Sequence, residues 1–211
     1  MNGHKFTFTL LLTSASLFSF SQNEDSLKVE PTAVLNLKIS YNSSLIYPGT
    51  RIGAEFLVKT VSSPILNEPK NKKGLLKERF ITANSGWYHQ PYFHDNLYIT
   101  VGWLMRRTKQ SGFFTEFSPE IGVSRTFIGG TTYQVDASGK VSVEKFAGYY
   151  YALFSVGAGI GYDFSIRKKK PLMVFYKINL ISMYPYNSTI YFRPAMELGI
   201  IYRFSMRNLI N

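Results

Sequence analysis

A chain of 211 residues with 24 Lys and Arg against 13 Asp and Glu carries a formal charge of +11, contains no cysteine, and is 16 % aromatic, with 15 Tyr and 17 Phe. The length fits one domain, and the lack of cysteine excludes disulfides, thiol catalysis, thiolate metal sites and lipidation at an N-terminal cysteine. So many large rings exceed what a soluble core of this size houses, whereas a surface that meets lipid can use them, because Tyr and Trp join an apolar body to a wet tip.

The chain begins MNGHK, continues FTFTLLLTSASLFSF, and reaches a small-x-small site at Ser19-Phe20-Ser21. A short positive head, an apolar run and such a site predict a secretory signal peptide over residues 1–21, cleaved between Ser21 and Gln22. Only Lys5 is charged in that segment, so the mature charge is +10. Export removes the nucleic-acid reading that a basic chain otherwise invites. Residues 22–32 (QNEDSLKVEPT) are polar and predict a flexible periplasmic lead-in, leaving residues 33–207 for the folded part.

Period two dominates residues 33–207. Ala33–Asn42 sets Leu35, Leu37, Ile39 and Tyr41 against Asn36, Lys38 and Ser40, a weak strand. Thr50–Thr60 sets Ile52, Ala54, Phe56 and Val58 against Arg51, Gly53, Glu55, Leu57 and Lys59. Lys77–Gln90 (KERFITANSGWYHQ) is long but poorly patterned, and is read as a strand mainly because its neighbours need one. Asn96–Arg107 and Gly112–Phe127 alternate clearly, the second with Phe113, Phe117, Ile121 and Val123 on one face and Glu116, Ser118 and Glu120 on the other. Tyr150–Phe164 puts Ala152, Phe154, Val156 and Ile160 opposite Ser155, Gly157, Gly159, Gly161 and Asp163. As a helix it would carry three mid-element glycines, at up to about 1 kcal/mol each, and it is short of the roughly 20 apolar residues a spanning helix needs. Pro171–Tyr184 and Tyr191–Phe204 complete the set.

Eight strands of roughly ten to sixteen residues suffice to span a bilayer when tilted, and in lipid only a closed barrel satisfies every strand's backbone groups. The predicted fold is all-β: a closed antiparallel up-and-down transmembrane β-barrel of eight strands. The alternative is a soluble periplasmic β-barrel carrier with its apolar face inward. With the apolar face outward, the lumen collects Lys38, Arg51, Lys59, Arg106, Lys177 and Arg203 against Glu55, Glu116, Glu120, Asp163 and Glu197. Eight strands leave an interior just wide enough for side chains, so these groups predict a paired polar plug, with an ion path or ligand site as the alternative. The interleaved glycines are assigned mainly to barrel curvature.

With eight strands and an exported N-terminus, both termini lie at the periplasmic end, together with the connections Val61–Leu76, Thr108–Ser111 and Ser165–Lys170. Basic clusters at Lys70, Lys72, Lys73, Arg106, Arg107, Lys109, Arg167–Lys170 and Arg207 gather there, a solvated rim or a face toward anionic headgroups; were Ala33–Asn42 not a strand, the parity would flip and this end would face outward, toward surface phosphates. The outer connections are Ser43–Gly49, Pro91–Asp95, Ile128–Gly148 and Pro185–Thr189. In the longest, TTYQVDASGKVSVEKFAG predicts an extended hairpin whose contact candidates are Tyr133, Asp136 and Lys140.

The segments SFSQ, IYPGTRIGAEF, TYQVDASGKV, GAGIGYDF, MYPYNS and MELGIIYRF resemble the small outer-membrane β-barrel proteins of Bacteroidota. The resemblance implies outer-membrane location, insertion by the barrel-assembly machinery and contact with outer-membrane lipids. It marks architecture rather than activity. Phe204 resembles the terminal aromatic of such barrels, although seven residues follow it. His89 and His94 are the only histidines after the leader, in the contexts HQP and HDN, neither with the His-x-Ser spacing of outer-membrane deacylases. No cofactor motif, metal set or catalytic residue is assigned. The expectation is a monomeric structural or interaction protein without enzyme activity, the alternatives being a small-solute channel and a lipid-modifying rim enzyme.

Overall fold

The computed structural model describes residues 34–44, 47–62, 75–186 and 189–205; the expected signal peptide and lead-in lie outside them, as do Lys70, Lys72, Lys73 and Arg207. Eight long strands close into an antiparallel barrel: β1 (Val34–Ser43), β2 (Gly49–Ser62), β3 (Leu75–Gln90), β4 (His94–Lys109), β5 (Phe113–Ile128), β8 (Tyr150–Asp163), β9 (Leu172–Tyr186) and β10 (Thr189–Ser205). Each pairs with its neighbour along the chain, and β1 closes the ring against β10 from Val34↔Ser205 to Ser43↔Met196. The remaining strands, β6 (Thr132–Val135) and β7 (Val141–Glu144), form a separate hairpin inside the long β5–β8 connection.

Closure explains why weakly patterned segments are strands. β1 satisfies its backbone on both sides, against β10 and β2. β3 pairs with β4 at every residue from Leu75↔Lys109 to Gln90↔His94. A strand with two paired edges needs little propensity of its own, because β preference mostly measures fit to neighbours.

The outer wall is apolar over its middle rows, and the inner wall holds charged and polar side chains between two apolar layers. Outward rows run Leu37, Ile39 and Tyr41 on β1, Leu97, Ile99 and Val101 on β4, and Phe154, Val156 and Ile160 on β8, all exposed. Their inward alternates are buried or half-buried, as the alternation along β1, β4 and β8 records. The expected faces of Asn96–Arg107, Gly112–Phe127 and Tyr150–Asp163 are the observed ones, whereas Phe164, expected to end the outward row, lies in the helix that follows the strand.

Lys59 is the exception. A β-bulge shifts the β2–β3 register between Leu57 and Lys59, so Lys59 pairs with outward Arg79 and stands exposed outside the barrel. An extra residue in one strand inverts every side chain beyond it, and the expectation of a lumenal Lys59 is corrected accordingly.

Two expected connections acquire structure. Ser165–Lys170 contains a short helix α1 (Phe164–Lys168), whose N-cap Asp163 accepts from the Ser165 amide at 2.8 Å. The expected hairpin is present, with Tyr133↔Val143 and Val135↔Val141 as direct pairs and the Asp136–Lys140 turn between them.

Candidate functional site

The lumen is a stack of three layers. At the end where β1 begins and β10 finishes, the terminal end, Phe114, Met173, Phe175 and Ile201 make a buried apolar floor. At the opposite, loop end, Tyr88, Tyr98, Tyr151, Leu153, Ile181, Met183 and Ala195 make a roof, with Tyr47, Tyr186 and Tyr191 packed on it. Between them lies the polar network.

Arg106 joins floor to network. Its guanidinium lies over the Phe80 and Phe114 rings at 5.2 and 4.9 Å, and bonds Glu55 at 3.0 Å and Glu116 at 2.8 Å. Asn36 donates to Glu55 at 2.9 Å. Lys177 bridges Glu116 and Glu197, 3.6 Å from each. Glu197 is the hub: it accepts from Ser40 Oγ at 2.8 Å and Asn179 Nδ2 at 2.9 Å, and faces Arg51 at 3.3 Å and Lys38 at 3.9 Å. Arg51 continues to Glu120, which also accepts from Thr100 Oγ1 at 2.8 Å. Nearer the terminal end, Arg203 pairs with Glu78 at 3.1 Å and Asp163 at 3.7 Å.

Eight of the eleven expected lumenal residues therefore meet in one network, Asp163 and Arg203 form a second cluster with Glu78, and Lys59 joins neither. Two further charged residues join them in the lumen. Glu78 lies on poorly patterned β3. Arg193 stacks over Tyr88, 3.6 Å from the ring centroid, and donates from Nε to Ser44 Oγ at 2.9 Å. Carrying the alternation of β10 back from Glu197 through Ala195 reaches Arg193, a signal present in the sequence. With these two included, six cations face six carboxylates, so the lumen is neutral in a strongly basic chain.

The glycines serve two ends. A Cβ at Gly157 would meet Asn179 Oδ1 at 2.3 Å and Ser118 Oγ at 2.8 Å, so this site makes room for network side chains. At Gly122 it would meet the Ile99 carbonyl oxygen at 2.0 Å, so that site permits close approach of neighbouring backbones. Curvature alone does not account for both.

Packed this way, the lumen is a structural plug. Among the described residues, eleven of the twelve charges have an ion-pair partner, while Arg193 has only the Ser44 hydroxyl and the Tyr88 ring, and removing one member of a buried pair strands the other.

At the loop-end rim, His89 Nδ1 lies 2.7 Å from Asp95 Oδ1 across the β3–β4 turn, both half-exposed. His94 instead packs edge-on to Tyr88 at 6.1 Å. A base and its orienting carboxylate are thus present, but among the described residues no hydroxyl is hydrogen-bonded to His89 as a nucleophile would be.

Above this rim the β6–β7 hairpin pairs only with itself. Tyr133, Val135, Val141 and Val143 share one exposed face. Asp136 is occupied inside the turn: Oδ1 accepts from Ser138 Oγ at 2.6 Å and from the amides of Ser138 and Lys140 at 2.8 and 2.9 Å. These bonds hold its carboxyl below the usual range, the Ser138 hydroxyl contributing most. Tyr133 and Lys140 point to solvent; Asp136 builds the turn that presents them.

No protein-family model matches the chain, and no curated protein matches it in sequence. Among solved structures it is similar to a de novo designed transmembrane β-barrel, at 12 % identity and a TM-score of 0.43 over 83 % of this chain and 98 % of that one. It is also similar to the outer membrane enzyme PagL (10 %, 0.41, covering 82 % and 99 %) and to Neisserial surface protein A (14 %, 0.40, covering 82 % and 95 %).

Proposed function

We propose that this chain is an integral outer-membrane β-barrel with a structural or interaction role, sealed through its lumen and presenting the β6–β7 hairpin outside the cell. The observation that carries the reading is the inverted distribution of side chains. Twelve charged groups lie inside, and the outward rows are predominantly apolar, their charged residues gathered mainly at the terminal end of β2–β4. Exposed apolar area of that extent is prohibitive in water and is what a hydrocarbon layer requires. A soluble carrier needs the opposite arrangement.

The interaction role rests on the hairpin, which leaves two strand edges and an apolar face uncovered at the loop end. Such edges are ready partners for another strand. The narrower likeness, to barrels of Bacteroidota, rests on the sequence segments alone. The plug argues against a solute channel, because a path along the lumen would have to break ion pairs at every level.

Fractionation tests the reading. The protein is expected with the outer membrane, with faster gel migration before boiling than after. Recovery from the soluble periplasm would overturn the membrane reading and select the carrier.

A further inference from the structure

The basic excess is confined to one end of the barrel. Among the described residues, the lumen balances six cations with six carboxylates. The loop end sets Arg125, Lys140 and Lys145 against Asp95, Asp136 and Glu144. The terminal end holds Lys59, Lys77, Arg79, Arg107, Lys109 and the run Arg167–Lys170, with no exposed carboxylate among the described residues there.

Five of these nine cations stand together on the outward face of β2, β3 and β4. Lys59 is directly opposite Arg79, and Lys77 directly opposite Arg107. Like charges facing across a ladder repel, and the ion pairs formed among the described residues lie in the lumen or at the His89–Asp95 rim. The bulge that expels Lys59 from the lumen is what completes the cluster.

The same three strands, together with Leu37 of β1, carry a groove of about 500 Å³ in the outer wall, lined also by Ile52, Ala54, Ala83, Ser85 and Ile99 and reaching the lumenal Lys38 and Asn84. Ala54 pairs with Ala83, so two small side chains leave a dent between larger ones. From Ala83 to Arg79 is four residues along β3, about 13 Å at the rise of a strand. Ile81 lies between them, opposite Trp103, an aromatic at the level where apolar wall gives way to charge.

We propose that the outward face of β2–β4 is a binding site for an anionic phospholipid of the periplasmic leaflet, with an acyl chain in the Ala54–Ala83 groove and the phosphate on Lys59, Lys77, Arg79 and Arg107. The inference rests on the membrane reading above and adds the ligand and its site. The groove offers apolar space, and the cations about 13 Å from it along β3 supply the charge complement. A neutral lipid fits the groove equally but leaves the cations facing one another.

Native mass spectrometry of the refolded full chain, given phosphatidylglycerol or phosphatidylcholine with identical acyl chains, tests it. Phosphatidylglycerol should be retained roughly tenfold or more over phosphatidylcholine. The variant K59Q/K77Q/R79Q/R107Q should bring the two to parity, whereas K140Q/K145Q should leave the preference intact. Ala83→Leu, which fills the groove, should lower phosphatidylglycerol retention with the cations untouched. Insertion into phosphatidylcholine vesicles is read separately by heat-modifiable migration. An inserted parent with no lipid preference, or a fourfold variant that keeps it, overturns the site and leaves the membrane reading standing. Stronger retention of lipopolysaccharide than of phosphatidylglycerol overturns the assignment to the periplasmic leaflet. Failure of the parent to insert overturns both readings.

Discussion

Glu197→Gln probes the network at its most connected point. The amide keeps the shape and an oxygen acceptor for either Ser40 or Asn179, which donate to different carboxylate oxygens, but removes the charge that Arg51, Lys177 and Lys38 share. Arg51 retains Glu120 and Lys177 retains Glu116. Lys38 has no second carboxylate within ion-pair distance among the described residues, and its Nζ is left with the Phe175 ring at 5.9 Å. Removing one partner of a buried ion pair costs about 3–5 kcal/mol. Two of the three cations keep a carboxylate here, so the lower end applies, about 3 kcal/mol, or roughly a hundredfold in the folded-to-unfolded ratio. Urea titration of folding in phosphatidylcholine vesicles, followed by the fluorescence of Trp87 and Trp103, measures it. Adding Lys38→Met removes the stranded charge and should restore about 1–2 kcal/mol. Lys59→Met, on the outer wall, should change stability by less than about 0.5 kcal/mol. A Glu197→Gln barrel as stable as the parent, or a double variant no better than the single one, would refute the coupled network.

Three further expectations concern the ends. Trypsin applied to intact cells should cut at Lys140 or Lys145 in the hairpin and spare Arg167–Lys170 until the outer membrane is broken; the reverse pattern would invert the proposed orientation. The refolded protein in a planar bilayer should conduct no more than the empty membrane, and discrete channel openings would show that the plug yields. Asp136 should titrate below its ordinary value of 3.8. Its contribution to hairpin order is therefore complete above that value and is lost as pH falls through the lower folded one. Carboxyl NMR with a midpoint at or above 3.8 would contradict the turn bonds.

Much of the barrel is legible in the sequence because parity survives wherever one wall meets a different medium from the other. Tyr150–Phe164 alternates apolar and small residues without interruption, and its two faces are evident at once. β3 is harder, since its outward row mixes Lys77, Arg79, Ala83 and Ser85 with Ile81 and Trp87, while its inward row includes Phe80 and Tyr88. Rings inside the lumen blur the contrast that period two depends on. Only pairing with β4 fixes the register, and with it the inward position of Glu78. Lys59 departs from its expected face for a different reason: nothing in Leu57-Val58-Lys59 announces a bulge, which arises from the fit of β2 against β3. The partners of each charge are also beyond the reach of pattern, because Glu197 and Lys38 meet only once β1 closes on β10.

The charge of the chain takes a different meaning on the membrane reading proposed above. A formal +11 suggests a polyanion partner, yet the lumen and the loop end are each balanced, so the described excess belongs to one rim. That rim is written into the same outward rows that form the apolar wall. β4 runs Ile99, Val101, Trp103, Met105, Arg107, Lys109 on a single face, passing from hydrocarbon-compatible side chains to cations without changing parity. β3 does the same in reverse, from Lys77 and Arg79 to Ile81. The lumen, neutral through its depth, carries no comparable gradient. Depth and direction in the bilayer are therefore set by the outer rows, and the interior contributes the rigidity that keeps those rows in register.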